Sequence, residues 1–172
     1  MISSPESAAA RLCAACGLCC NGTLFTIVQL QPGDSPKQLA ALGLKLTRKK
    51  KRHLFHQPCP MFRESQCAIY QDRPERCRLF ECRQLQQVAS GEITEDAALA
   101  TIHDARRRVD DVRALFERLG ETNHKRPLTR RYDSIMQTQP DSNAGPETTN
   151  HRDQLTLAMR ELRELLQKDF RV

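Results

Sequence analysis

The side chains able to do chemistry in this 172-residue chain are its eight cysteines, all of which lie between positions 13 and 82. Four are packed into one run, Cys13-Ala-Ala-Cys16-Gly-Leu-Cys19-Cys20, and the others follow at Cys59, Cys67, Cys77 and Cys82. Thiols crowded this closely suit a metal ion or an iron–sulfur cluster better than a hydrophobic core. Two residues between cysteines let a turn bring both thiolates to one centre while backbone amides point at the sulfurs. Zinc sites use one such pair. Bacterial ferredoxins use three in succession, with a fourth ligand elsewhere, for a four-iron cluster. Cys13, Cys16 and Cys19 have that spacing, and the remote Cys59 is followed by Pro60, as the last cysteine of a ferredoxin run is.

Local geometry limits which thiols can share a centre. Adjacent side chains diverge, so Cys19 and Cys20 do not easily reach one tetrahedral ion. Cys20 therefore serves a second centre or is a buried or reactive thiol. At about 100° per residue, Cys77 and Cys82 stand roughly 140° apart on an ideal helix and cannot meet one ion unless that helix breaks. Near a helix start, the Cys77 thiolate would be favoured by the helix dipole. Two four-thiolate centres satisfy these limits, and so does one cluster with spectator thiols; spacing leaves the pairing open. His53 and His56 could substitute as ligands, since imidazole suits zinc, but with eight thiols present they better fit the surface or the surroundings of a centre. Tyr70, Arg73 and Arg78 could donate hydrogen bonds to cluster sulfurs, or the arginines could pair with Asp72 and Glu75.

Composition narrows the alternatives. Tryptophan is absent, aromatics are 5% of the chain and mean hydropathy is −0.60, so the core must be modest and a metal staple useful. Disulfides would need an oxidising compartment. The first eleven residues have neither a basic nor an apolar signal-peptide region, and no stretch approaches the roughly 20 apolar residues of a membrane helix. A cytoplasmic location with reduced thiols is the expectation. The net charge of +6 lies entirely in residues 1–82, which hold 12 Lys and Arg against 6 Asp and Glu. Eight thiolates around two dications would lower it to about +2, because metal ligands are deprotonated. The basic run Arg48-Lys-Lys-Lys-Arg52 has no aromatic residues interleaved with it. It reads as a solvated turn or thiolate counter-charge, and nucleic acid is not an expected partner.

The positioning elements follow from turn signals and periodicity. Residues 1–12 read as a flexible leader and 13–90 as a metal-binding domain. Within that domain, Leu24 to Val28 reads as a strand, Lys37 to Leu46 as a short helix, and Arg73-Pro74 as the start of a helix capped by Asp72. That helix carries Leu79, Leu85 and Val88 and ends near Ser90-Gly91. Residues 91–120 form a long helix capped by Thr94, with Ile102, Ala105, Val109, Val112, Phe116 and Leu119 on one stripe. Residues 121–150 read as a linker or irregular loop. Residues 151–172 hold a C-terminal helix with Leu155, Ala158, Met159, Leu162, Leu165 and Leu166 along one face and a weak cap signal at Asn150 and Asp153. The expected class is mainly α with little β: a small metal-centred cysteine-rich domain followed by a helical hairpin or bundle.

One ordered combination is more specific than any single pair. Cys13-x2-Cys16-Gly-x-Cys19-Cys20, Pro58-Cys59-Pro60 and Cys67-x-Ile69-Tyr70-x2-Arg73-Pro74-x2-Cys77-Arg78-x-Phe80-x-Cys82 together resemble the CxxCxxCC family. That family is described as zinc- or iron-chelating, and some members are labelled iron–sulfur proteins. The resemblance implies metal binding through Cys13, Cys16, Cys19, Cys20, Cys59, Cys67, Cys77 and Cys82, and brings no settled reaction. The three-cysteine run favours an iron–sulfur cluster (4Fe-4S), and two closed Zn2+ sites would also use every thiol. Two other readings stand beside chelation. One is a redox or electron-transfer protein using the cluster or a spare low-pKa thiol such as Cys20 or Cys77. The other is a zinc adaptor whose C-terminal helices meet a protein partner.

Overall fold

A computed structural model describes residues 7–64, 66–139 and 146–171. The chain enters through helix α1 (Ala8–Cys16), where Ser7 caps the Ala10 amide and Gly17, at φ 64°, ends the last turn. A turn-rich stretch leads to β1 (Ile27–Gln29), α2 (Pro36–Ala41), β2 (Thr47–Lys49) and β3 (Arg52–His56). β3 is central in an antiparallel sheet of order β1-β3-β2, with Val28 opposite Phe55 and Arg48 opposite His53. The short strands β4 (Phe62–Arg63) and β5 (Gln66–Cys67) then pair antiparallel, placing Phe62 opposite Cys67. Helices follow: α3 (Glu75–Leu79), α4 (Arg83–Ala89), α5 (Glu95–Arg118), α6 (Leu128–Gln137) and α7 (Pro146–Asp169). The fold is mainly α with little β, as the sequence indicates.

Two apolar cores form. In the larger, the stripes of α5 and α7 face each other: Ala98, Ile102, Ala105, Val109, Val112 and Phe116 meet Leu155, Met159, Leu162, Leu166 and Phe170, and Leu12 and Leu18 join them. Each of those helices spans about 36 Å at 1.5 Å per residue, so the stripe is used along its length. The smaller core gathers Val28, Leu39, Leu44, Phe55 and Met61 between the sheet and α2. Polar ties join the elements. Arg11 holds Glu95 with two hydrogen bonds of 2.8 and 2.7 Å, and Arg106 donates to the Ala15 carbonyl at 2.7 Å.

Several local expectations change. Residues 8–12 are not a leader but the first turns of α1, because Leu12 is buried in the larger core; residues 1–6 lie outside the described part. The strand begins at Ile27 rather than Leu24, which is buried against the helices. The short helix ends at Ala41. Asp72 does not cap α3. The cap comes from a distant loop, where Asp34 accepts from the Glu75 amide at 2.8 Å and from the Gln31 amide at 2.8 Å. The single helix expected from Arg73 to Ser90 is broken in two, with Phe80 and Cys82 extended between α3 and α4. Phe80 packs edge-on against Phe25 there, with ring centres 4.9 Å apart.

The stretch 121–150 is not a structureless linker over its described residues. It contains α6, whose Leu128, Arg131 and Ile135 are buried, and the start of α7, so Asn150 and Asp153 lie inside that helix rather than at its cap. Arg131 hid this helix from an apolar-period reading. Its guanidinium lies over the Phe116 ring at 4.5 Å and donates to the Glu121 carbonyl at 2.7 Å, which makes a charged residue compatible with burial.

Candidate metal centre

Cys13 and Cys16 sit one turn apart at the C-terminal end of α1, facing the same side. Gly17 then turns the chain so that Cys19 and Cys20 follow in tight succession, with the Cys20 and Asn21 amides both bonding to the Gly17 carbonyl. A side chain at position 17 has no room: a Cβ there would stand 2.4 Å from the Phe62 ring. Glycine thus serves both the left-handed backbone and the close approach of the β4 hairpin.

The chain paths then separate the two ends of the run. The Cys59 amide donates to the Cys20 carbonyl at 2.8 Å, which ties Cys20 to the Pro58–Pro60 turn. Cys67 lies across from Phe62 in the β4–β5 pair. Cys77 is on α3, which the Asp34 cap fixes to the loop after β1. Cys82 goes the other way. It is the residue before α4, and α4 is tied to the end of α7 by the Arg83 amide on the Phe170 carbonyl (3.3 Å) and the Gln84 side chain on the Asp169 carbonyl (2.9 Å). Cys16, Cys19 and Cys82 pack against the larger core, whereas Cys59 and Cys77 pack against the smaller one.

Electrostatics gives the same division. Burial pushes the Cys13 thiol up, and Cys82 adds to this. Burial takes Cys16 up to about 12, with Cys82 and Cys13 contributing. Cys19 is held well above its ordinary value by burial, then by Cys16, Cys20, Cys82 and Cys13. Burial also raises Cys20 strongly, and its sulfur neighbours are Cys59, Cys77 and Cys67 before Cys13. Cys77 is raised to about 12 by burial, then by Cys59 and Cys67, and Cys59 by burial and Cys67. The eight thiols thus divide into Cys13, Cys16, Cys19 and Cys82, and Cys20, Cys59, Cys67 and Cys77. Only the chain neighbours Cys19 and Cys20, and the weaker Cys13–Cys20 influence, cross between the sets.

Three expectations are corrected by this arrangement. Cys59 is the neighbour of Cys20, and Cys82 is the remote thiol beside the three-cysteine run. The Cys77 thiol is pushed up rather than down, because burial and two neighbouring sulfurs outweigh what a five-residue helix supplies. Cys20 likewise is no low-pKa thiol. All eight cysteines are free and half-buried.

The donor chemistry suits a thiophilic metal. Backbone amides favour the thiolate at several sulfurs: Leu18 at Cys16, Met61 and Phe62 at Cys59, and Gln84 and Leu85 at Cys82. The last pair lies toward the sulfur without forming a regular side-chain cap. Arg106, on α5, favours the Cys16 thiolate, a role that no spacing within the cysteine region signals. Among the described residues, no three His, Cys, Asp or Glu side chains are already closed around a point that could hold an ion. The sulfurs are gathered into two neighbourhoods, and closing them onto a centre requires deprotonation as well as approach. His56 is exposed and half-buried His53 faces Arg48 across the sheet. The basic run forms the exposed β2–β3 turn, with Lys50 and Lys51 both at positive φ.

No helix among the described residues is long and apolar enough to cross a membrane. No curated protein and no solved structure matches this chain. Residues 12–101, which hold all eight cysteines, match the family described as a candidate zinc- or iron-chelating domain, and the chain belongs to that family, CxxCxxCC.

Proposed function

We propose that this protein chelates metal at two separate four-thiolate centres, one held by Cys13, Cys16, Cys19 and Cys82 and the other by Cys20, Cys59, Cys67 and Cys77. The observation that carries this reading is the packing of Cys16, Cys19 and Cys82 against one core and of Cys59 and Cys77 against the other, with mutual charge influence grouping the remaining thiols with them. Four half-buried thiols in one neighbourhood repel one another once ionised, and a bound cation removes that penalty. The first set, a three-cysteine run with one remote thiol, suits a 4Fe-4S cluster, and either set suits Zn2+. With four protein sulfurs each, neither centre keeps an open position for water. Their chemistry is therefore stapling the fold or, with iron, passing electrons, and not hydrolysis.

Anaerobic purification followed by an absorption spectrum and metal and sulfide analysis tests the reading. Iron with sulfide and a broad visible band identifies a cluster; colourless protein with two zinc ions per chain identifies structural centres. Single Cys→Ser variants test the partition. C13S and C82S should lose the same half of the metal, and C20S and C77S the other half. If C59S removed the metal that C13S removes, the partition would be wrong.

A further inference from the structure

Unpaired positive charge is concentrated at the tip of the β2–β3 hairpin. Arg48, Lys49, Lys50, Lys51 and Arg52 are consecutive and all exposed. Among the described residues none of the five joins an ion pair. The backbone sharpens the crowding instead of relieving it. Lys49 stands directly opposite Arg52 in the strand register, and like charges facing each other across antiparallel strands destabilise the pair. Lys50 and Lys51 make the two-residue turn, at φ 47° and 65°, where Asn-Gly is the ordinary choice because left-handed backbone disfavours a Cβ. β1 pairs with β3 only from Leu54 onward, with a last tie from the Leu30 amide to the His53 carbonyl at 2.9 Å. Lys49 to Arg52 therefore extend past β1 as a two-stranded ribbon. Of these two costs, only the charge can be relieved from outside the chain, and a polyanion relieves it at all five positions together.

We propose that this hairpin binds the phosphate backbone of double-stranded DNA, through charge and without reading base sequence. The major groove of B-form DNA admits a two-stranded β-ribbon. Contacts to the phosphates that flank it need cations and not aromatic rings. The lack of interleaved aromatics, which weighs against a single strand, is thus compatible with a duplex. Between Thr47 and His53 there is no apolar side chain to enter a lipid interface, which favours DNA over a membrane surface. None of the eight cysteines lies in the hairpin, so this role stands apart from the division of the thiols.

The test is fluorescence anisotropy of a short labelled DNA duplex titrated anaerobically with the metal-loaded full chain, between about 50 and 200 mM salt. For wild type, log affinity should fall against log salt with a slope of about −4.5 if all five cations engage, at roughly 0.9 per charge. K50N/K51G removes two charges while giving the turn its ordinary residues. It should make the slope shallower by about 1.8, and its melting temperature should hold or rise. R126Q/R160Q removes the same two charges from the loop before α6 and from α7, and should leave the slope unchanged. Should K50N/K51G lose its metal, R48Q/K49Q on the exposed strand decides by the same shift. No binding at the lowest salt, or a slope that the hairpin variant does not change, overturns the proposal. So does an equal shift in R126Q/R160Q, which would mean net charge alone. Tighter binding of an RNA duplex, or binding to phosphatidylserine vesicles with none to DNA, would replace DNA as the partner.

Discussion

Cys16, Cys19 and Cys82 are backed by the long helices α5 and α7, whose facing stripes bury a continuous apolar core. Cys59 and Cys77 are backed by a three-stranded sheet and five buried side chains. The first region has enough apolar burial to hold its shape from packing alone. The second is as small as the units that need a metal or disulfide to fold. If both hold metal, the same ligand type does different work in each: it decorates a finished core in one region and substitutes for a missing core in the other.

The largest effect that would break or sharpen this contrast is metal removal. Stripping the reduced protein with a strong chelator should unfold the sheet region, since structural metal sites contribute on the order of 10 kcal/mol, and leave the pairing of α5 with α7 intact. Hydrogen exchange read by mass spectrometry should show amides of 27–79 losing protection while those of α5 and α7 keep it. Equal loss in both regions would mean a single cooperative unit.

Next come the two core phenylalanines, Phe116 and Phe55, both almost fully buried. Each truncation to alanine removes about 3–5 kcal/mol of local packing. In metal-loaded protein, F116A should lower the denaturant midpoint seen by helical circular dichroism. F55A should barely move that signal and should instead speed metal release.

At the seam, Gly17→Ala combines a left-handed backbone, which costs an L-residue about 1–2 kcal/mol, with a clash against Phe62. Gly91→Ala shares the positive φ but meets nothing within 4 Å. The difference between their melting temperatures isolates the steric part. Pairing G17A with F62A should recover that part and no more.

The last effect is on pH. In metal-free protein, burial raises the folded thiols of Cys13, Cys16, Cys19, Cys20, Cys59, Cys77 and Cys82 above their ordinary value of 9.0, to about 12 at Cys16 and Cys77 and strongly at Cys19 and Cys20. A raised folded pKa stabilises the protein below the unfolded value, and that contribution is lost as pH rises through the folded one. Any helical structure surviving without metal should therefore lose stability from about pH 9 upward, by up to ~1.4 kcal/mol per pH unit for each affected thiol. Urea melts at pH 8 and pH 10 would show it, and equal midpoints would contradict it. Bound metal should flatten this dependence.

The parts legible in sequence were those governed by neighbours along the chain. The stripes of α5 and α7 are periodic because a buried helix face must be, and Thr94 caps α5 as its position predicts. The bar on Cys19 and Cys20 sharing a centre comes from covalent geometry. The helical-angle bar on Cys77 and Cys82 lapses, because the helix it assumed is broken between them. What spacing left open was the partner of each thiol. Choosing Cys82 for the three-cysteine run depends on α4 docking at the end of α7, some 85 residues along the chain. Joining Cys20 to Cys59 depends on one long-range backbone hydrogen bond. Asp34 capping α3 and Arg131 over Phe116 are likewise contacts between separate segments. The sequence by itself determined which groups could do the chemistry and which could not act together. Tertiary structure alone decided which did meet, because convergence of side chains far apart in the chain is a property of packing and not of spacing.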